Sequence, residues 1–222
     1  MRRMIFAGIL VLLVAEGEMA VTRARLNAGY FSQPGSSATL LELLAVLAAY
    51  LMLAIWLDSK PESRLLPDEQ TALMAGAAAG LLETGGVVFE NFAPGLKLLP
   101  IAIEFSIFLS WATVAAVSAR RRQSITAGIR TAVAAAALCM VIGVCAGELV
   151  EFFIRPAPAS EVATWAEFQR SHWSDAGAFQ VANTIDSATT HLTMAPLIAF
   201  LLGSAGAALG RAGRPSRGAH TG

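Results

Sequence analysis

Six side chains in this sequence have the types and positions needed to bind a cation. Five are glutamates and the sixth is a histidine: Glu83, Glu90, Glu104, Glu148, Glu151 and His191. Each glutamate lies within or at the end of a long apolar run, where a carboxylate is costly unless a proton, a metal ion or a basic group neutralises it. Carboxylate oxygens bind protons and hard metal ions, and an imidazole can relay a proton or bind a metal.

Helical spacing places two of these acids on one face of the segment 71–92. Steps of three and four connect Gly76, Gly80, Glu83, Val87 and Glu90, which is the spacing of one helical face. Glycines on that face allow a neighbouring helix to approach closely. We therefore expect Glu83 and Glu90 to point into the protein rather than toward lipid.

The helix dipole separates the acids that need a neutralising partner from those that do not. Glu83, Glu90, Glu148 and Glu151 lie toward the C-terminal ends of predicted helices, where the dipole opposes negative charge. These four, together with Glu104, are the predicted site for cations or protons.

Three further residues are predicted only as additional ligands. Glu42 and Asp186 lie near the starts of predicted helices, where the dipole favours an acid and a structural role is the simpler interpretation. His191 has a structural alternative, a hydrogen bond to a neighbouring helix. If the cation is a metal, the predicted ligands are Glu90, Glu151 and His191.

Composition places the chain among membrane proteins. It has 222 residues, 55% of them hydrophobic and 14% charged, with a mean hydropathy of +0.59. The net charge of zero gives no reason to expect nucleic-acid binding. Three histidines in the whole chain argue against a haem bundle, and the cofactor, if there is one, is unknown, with a divalent metal ion as one candidate. We predict that Cys139 and Cys145 are small buried hydrophobic residues.

Apolar periodicity predicts an all-α integral membrane protein with six transmembrane helices, at 1–26, 39–57, 71–92, 98–119, 125–153 and 183–210. They form a single polytopic domain over 1–210, with a short helix on the membrane surface at about 160–173 and a disordered cytoplasmic tail at 211–222. Residues 1–20 are read as a retained helix, with a cleaved signal peptide as the alternative.

The distribution of basic residues predicts the orientation of these helices. Eleven of the 16 lysines and arginines fall at the N-terminus, in the loops 58–69 and 119–130 and in the tail, and five fall on the opposite side. The positive-inside rule then places both termini in the cytoplasm of a bacterial-type inner membrane. In this topology the candidate glutamates lie in the outer leaflet or at its boundary.

An internal repeat is a further possibility. In the segments 39–94 and 98–156, Glu42 and Glu104 are 62 residues apart, and Glu90 and Glu151 are 61 apart. Two parallel helical hairpins, with helices one and six added, would bring the acid-bearing helices together. The alternative is that helices rich in alanine and glycine resemble one another without duplication.

Three functions remain open from the sequence. The first is cation binding, of a metal ion or protons, for transport or ion sensing. The second is a non-catalytic subunit or scaffold whose acids pair with a partner chain or a second copy. The third is a carboxylate-rich membrane metalloenzyme, although Glu148-x-x-Glu151 departs from the paired Glu-x-x-His motifs of di-iron bundles. We expect the lipid bilayer as partner, and an enzyme is the less favoured class.

Overall fold

The computed structural model describes residues 2–58, 68–93, 95–96 and 98–212, and all regular structure in these ranges is helical. The helices are α1 (Arg2–Leu26), α2 (Ser36–Asp58), α3 (Glu69–Phe92), α4 (Leu98–Arg122), α5 (Ile125–Leu149), α6 (Ala159–Val162), α7 (Ala166–Ser171) and α8 (Ala176–Ala212). Five of them, α2, α3, α4, α5 and α8, are long and apolar enough to cross a membrane. This confirms the all-α fold and supports a multi-pass membrane protein.

The first helix is the one long helix of the predicted six that is not among these five. It has the predicted length and position, but Glu16, Glu18, Arg23 and Arg25 lie in its second half. Charged residues are uncommon inside an ordinary membrane span. Six long helices are present, and the crossing of the membrane by α1 stays a prediction.

The last helix begins earlier than the sequence predicts, at Ala176 rather than at 183. Asp175 explains the difference, because its carboxylate accepts a hydrogen bond of 2.9 Å from the backbone N–H of Ala178. This is the geometry of an acidic N-cap. The long connection before α8 is correspondingly shorter than expected.

The connection before α8 contains two short helices, α6 and α7, where a single helix over 160–173 was expected. Val162 is fully buried, and the rings of Phe168 and Trp173 lie 5.4 and 5.8 Å from the ring of Phe179 in α8. The connection therefore packs on the first turns of α8. Residues 59–67 of the predicted polar loop and 213–222 of the predicted disordered tail lie outside the described residues.

The loop between α1 and α2 is anchored by a buried tyrosine. The hydroxyl of Tyr30 donates a hydrogen bond of 2.7 Å to the carbonyl of Ser36. Burial raises the pKa of Tyr30 to about 12, so the hydroxyl keeps its proton at physiological pH. The side chain of Gln33 in the same loop accepts a bond from the backbone N–H of Ser174, which ties this loop to the start of α8.

Helix α5 is the centre of the bundle. It packs against α1, α3, α4 and α8. In its apolar 18-residue stretch 56% is buried, against 22–33% in the corresponding stretches of the other four spans. A buried hydrogen bond of 3.0 Å between the hydroxyls of Ser118 and Thr131 connects it to α4. Side chains on α5 are therefore well placed to meet residues from several neighbours.

The predicted glycine face of α3 is confirmed. A Cβ on Gly76 would lie 2.7 Å from the carbonyl oxygen of Ala135, and one on Gly80 would lie 2.7 Å from Cβ of Ile142, both on α5. A second close contact, which the sequence analysis did not identify, places Gly206 of α8 directly against the backbone of Ala112 in α4. Both helix pairs approach at distances that only glycine permits.

The two predicted hairpin repeats have different neighbours. Helix α2 packs against α1 and α8, whereas α4 packs against α3, α5 and α8. A duplication would place α2 and α4 in equivalent surroundings. The internal repeat therefore stays a prediction.

Candidate functional site

Two adjoining cavities, of about 400 and about 350 Å³, lie between α3, α4, α5 and α8. Five residues line both: Glu83, Val87, Glu90, Met140 and His191. Glu104 lines the first cavity, and Glu148 and Glu151 line the second. We call the pair the glutamate cavity. It brings together all five predicted glutamates and His191, although they come from four helices.

Glu83 occupies the junction of the glutamate cavity. Its side chain is half-buried and crosses the α3–α5 contact at Gly143, where an added Cβ would lie 2.5 Å from Cγ of Glu83. It interacts electrostatically with His191, Glu104 and Glu90. Gly143 therefore provides the space in which this carboxylate reaches the other cavity residues.

We expect Gly143→Ala to lower the free energy of unfolding by about 1–3 kcal/mol, because the new methyl group overpacks the contact with Glu83. Gly147→Ala is the matched control, since Gly147 lines the same cavity and a Cβ there would meet no atom within 4 Å. Equilibrium unfolding in micelles measures both. Adding Glu83→Ala should remove most of the cost of Gly143→Ala, and additive effects of these two changes would contradict the proposed contact.

The C-terminal end of α5 supplies two acids to the cavity. After Leu149 the helix widens into a π-helical turn, Val150–Ile154, which carries Glu151. The hydroxyl of Thr184 in α8 donates a hydrogen bond of 2.7 Å to the half-buried carboxylate of Glu151. Glu148 is 1% exposed, and neither of its carboxylate oxygens has a hydrogen-bond partner. Both acids therefore line the cavity, one half-buried and hydrogen-bonded and the other almost fully buried.

His191 is oriented by its own helix. Its Nδ1 lies 2.7 Å from the carbonyl oxygen of Ser187, and because a carbonyl only accepts, Nδ1–H is the donor. In the neutral ring Nε2 is then the acceptor, free to take a proton or bind a cation. The structural alternative of a bond to a neighbouring helix was wrong, because the carbonyl partner belongs to α8 itself.

Glu42 and Asp186 lie apart from the site. Both are exposed, and neither is among the residues that line the glutamate cavity. Asp186 is not in the first turn either, since α8 begins at Ala176. The dipole argument applied to Asp186 therefore rested on a helix start that was placed too late.

Comparison with known proteins adds no assignment. A scan against protein-family models, a search of curated proteins and a search of solved structures found no match. Function is therefore argued from the geometry of this chain.

The donor atoms in the cavity do not form a metal-ligand set. Among the residues that the structure describes, no three His, Cys, Asp or Glu side chains converge closely enough to hold a metal ion. The predicted ligands Glu90, Glu151 and His191 line one cavity without forming such a group. A metal at these residues stays a prediction.

The sequence analysis did not identify Glu16 of α1 as a candidate site residue. Glu16 is completely buried, and both of its carboxylate oxygens lack a hydrogen-bond partner. It lies on α1, which packs against α5, the helix that carries Glu148. A further buried acid therefore lies outside the cavity, on a helix that neighbours it.

Proposed function

We propose that this protein binds a cation at the glutamate cavity as part of transport or ion sensing across a membrane. The observation that carries the proposal is the convergence of five glutamates and one histidine, from α3, α4, α5 and α8, on adjoining cavities. A cavity lined by one sign of charge concentrates the opposite ion. Carboxylates set into membrane helices are expensive unless they serve such a purpose.

Protons fit this arrangement better than a resident metal ion. A metal needs several donors around one point, and no such group occurs among the described residues. Protons need only one carboxylate each. The two ion pairs of the described ranges, Arg122–Asp68 and Arg170–Glu167, involve none of the cavity acids, so neither neutralises the cavity.

The proposed setting is a bacterial-type inner membrane crossed six times, with both termini cytoplasmic and the glutamate cavity in the outer half. Helix α1 has 25 residues, about 37 Å at 1.5 Å per residue, which exceeds the hydrocarbon thickness of about 30 Å. The division of the basic residues, eleven against five, supports the orientation.

A non-catalytic subunit is the second candidate, favoured by a different observation. Glu90 and Glu104 are exposed on α3 and α4, beside the exposed rings of Phe89, Phe92 and Phe105. A partner chain with basic residues would cover the rings and neutralise these acids together.

Carbodiimide modification of vesicles, read by peptide mapping, tests the proposal. A membrane-impermeant reagent should reach Glu90 from the outside of right-side-out vesicles and fail to reach it in inverted vesicles. With a permeant reagent, which reacts with protonated carboxyls, Glu83 should be modified more than the exposed Glu42 at neutral pH. Equal modification of these two acids would contradict cation binding at the cavity.

Two further outcomes separate the alternatives. Selective protection of Glu83 and Glu151 by Ca²⁺ or Mn²⁺, with metal retained by the purified protein and lost in Glu90→Gln, Glu151→Gln, would replace the proton by a metal ion. Modification of Glu90 that is blocked in native membranes and appears after purification would identify the protein as a subunit of a complex.

A further inference from the structure

Two carboxyl groups on the neighbouring helices α1 and α5 are buried without partners. Glu16 is 0% exposed and Glu148 is 1% exposed, and within the described residues none of their four carboxylate oxygens has a hydrogen-bond partner. Buried polar groups are almost always paired, and a buried unpaired charge costs several kcal/mol (order of magnitude). Two such groups on helices that pack against each other require an explanation.

The groups around this pair supply no neutralising donor. Cys145 interacts electrostatically with both acids, and Tyr50 interacts with Glu16. The hydroxyl proton of Tyr50 is already donated to the carbonyl of Leu192, at 2.6 Å. The acids must therefore be neutralised by something other than these neighbours.

Arg23, two turns beyond Glu16, is the basic residue of α1 that lies nearest to Glu16 along the chain. Its guanidinium lies over the rings of Phe152 and Phe153, at 5.9 and 5.7 Å from their centroids. Its Nε is buried and has no hydrogen-bond partner. Arg23 is therefore held by aromatic rings, and it forms no ion pair with either carboxylate.

We propose that Glu16 and Glu148 form an occluded site that holds protons on its buried carboxyl groups. A protonated carboxyl is neutral, so its burial without a partner costs far less than the burial of a carboxylate. Burial without a partner disfavours the charged form of both groups. A metal would need a third donor, and no group of three converges in the described ranges.

The glutamate cavity gives this site a route to solvent. Glu148 and Glu151 both line the cavity, and Glu151 is half-buried at its wall. Glu83 and His191 face the same cavity from α3 and α8. The order Glu151, Glu148, Glu16 is thus a path of increasing burial. The delivery of the proton along it rests on the proposed function, whereas the existence of the pair does not.

Infrared spectroscopy of the purified protein at neutral pH tests the site. We expect a C=O stretching band of a protonated carboxylic acid that shifts in D₂O, and we expect a component of it to be lost in Glu16→Gln, Glu148→Gln. The control Glu42→Gln, Glu161→Gln, which changes two exposed acids, should keep the whole band. Absence of the band in the wild type, or a band unchanged in the variant of the buried pair, would overturn the proposal.

A second measurement needs no variant and remains valid if Glu16→Gln, Glu148→Gln fails to fold. A lipophilic carbodiimide should modify Glu16 or Glu148 in the wild type at neutral pH, and peptide mapping identifies the site. If neither peptide is modified while Glu83 is, the site is wrong and the proposed function survives. If one of the pair is modified while Glu83 and Glu151 behave like Glu42, the buried site is supported and the cavity function fails.

Discussion

Trp111→Ala should lower the free energy of unfolding by about 3–5 kcal/mol, the largest loss of stability we expect from a single change. Trp111 is 0% exposed and is the largest of the fully buried side chains among the residues whose burial is described. Its ring lies 5.3 Å from the ring of Phe108, and it lines the part of the glutamate cavity that contains Glu104. Removing the indole leaves a void that the surrounding helices fill only in part. Equilibrium unfolding in mixed micelles measures the loss.

Trp111→Phe is the matched control. It keeps an aromatic ring at the same position and removes an indole N–H that is buried without a hydrogen-bond partner. We expect a cost below about 1.5 kcal/mol, as for other conservative core changes. If Trp111→Ala costs no more than Trp111→Phe, the packing around α4 is looser than the structure indicates, and the cavity wall there is not fixed.

The long helices were predictable because length and hydropathy determine them. An apolar run of about 20 residues in a membrane protein has few alternatives to a helix, and the glycine face of α3 predicted its close contact. The start of α8 was missed because Asp175 lies in a polar loop, and nothing in the sequence distinguishes this capping acid from the other acids of the loop. The contact of Gly206 with α4 was missed since a glycine in an apolar run does not identify its neighbour.

The cavity residues were predictable for a related reason. Acids inside apolar helices usually face the bundle or a cavity rather than lipid, and these five line one pair of adjoining cavities although Glu90 and Glu104 are exposed. Their pairwise arrangement was not predictable, because it depends on which helices touch. Glu148 and Glu151 are three residues apart and line the same cavity, yet Glu148 is almost fully buried at the end of α5 and Glu151 is half-buried in the π-helical turn.

Glu16 carried a signal that the sequence analysis did not use. The buried positions of α1 include Phe6, Leu13, Ala20 and Ala24, and Glu16 falls among them at steps of three and four. An acid on the apolar stripe of a helix faces the same neighbour as that stripe.

The second large effect concerns the path between the cavity and the buried pair. We expect Glu151→Gln to slow the protonation of Glu16 and Glu148 after a pH jump by about 10²–10⁴-fold, the contribution of a positioned proton-transfer group. Glutamine keeps the size of the side chain and can still bond to Thr184, but it cannot carry the proton. Time-resolved infrared measurement of the carboxylic acid band follows the rate.

Two variants show whether this slowing comes from the chemistry of Glu151 or from a disturbed structure. Thr184→Val removes the 2.7 Å bond that positions Glu151, and it should slow protonation by less than Glu151→Gln does while leaving the final band unchanged. Glu90→Gln changes an acid of the same cavity that is exposed on α3. It should leave the rate of protonation within roughly a few-fold of the wild-type rate. Equal rates in the wild type and Glu151→Gln would mean that protons reach the buried pair by another route, and Glu151 would then be only a cavity-wall acid.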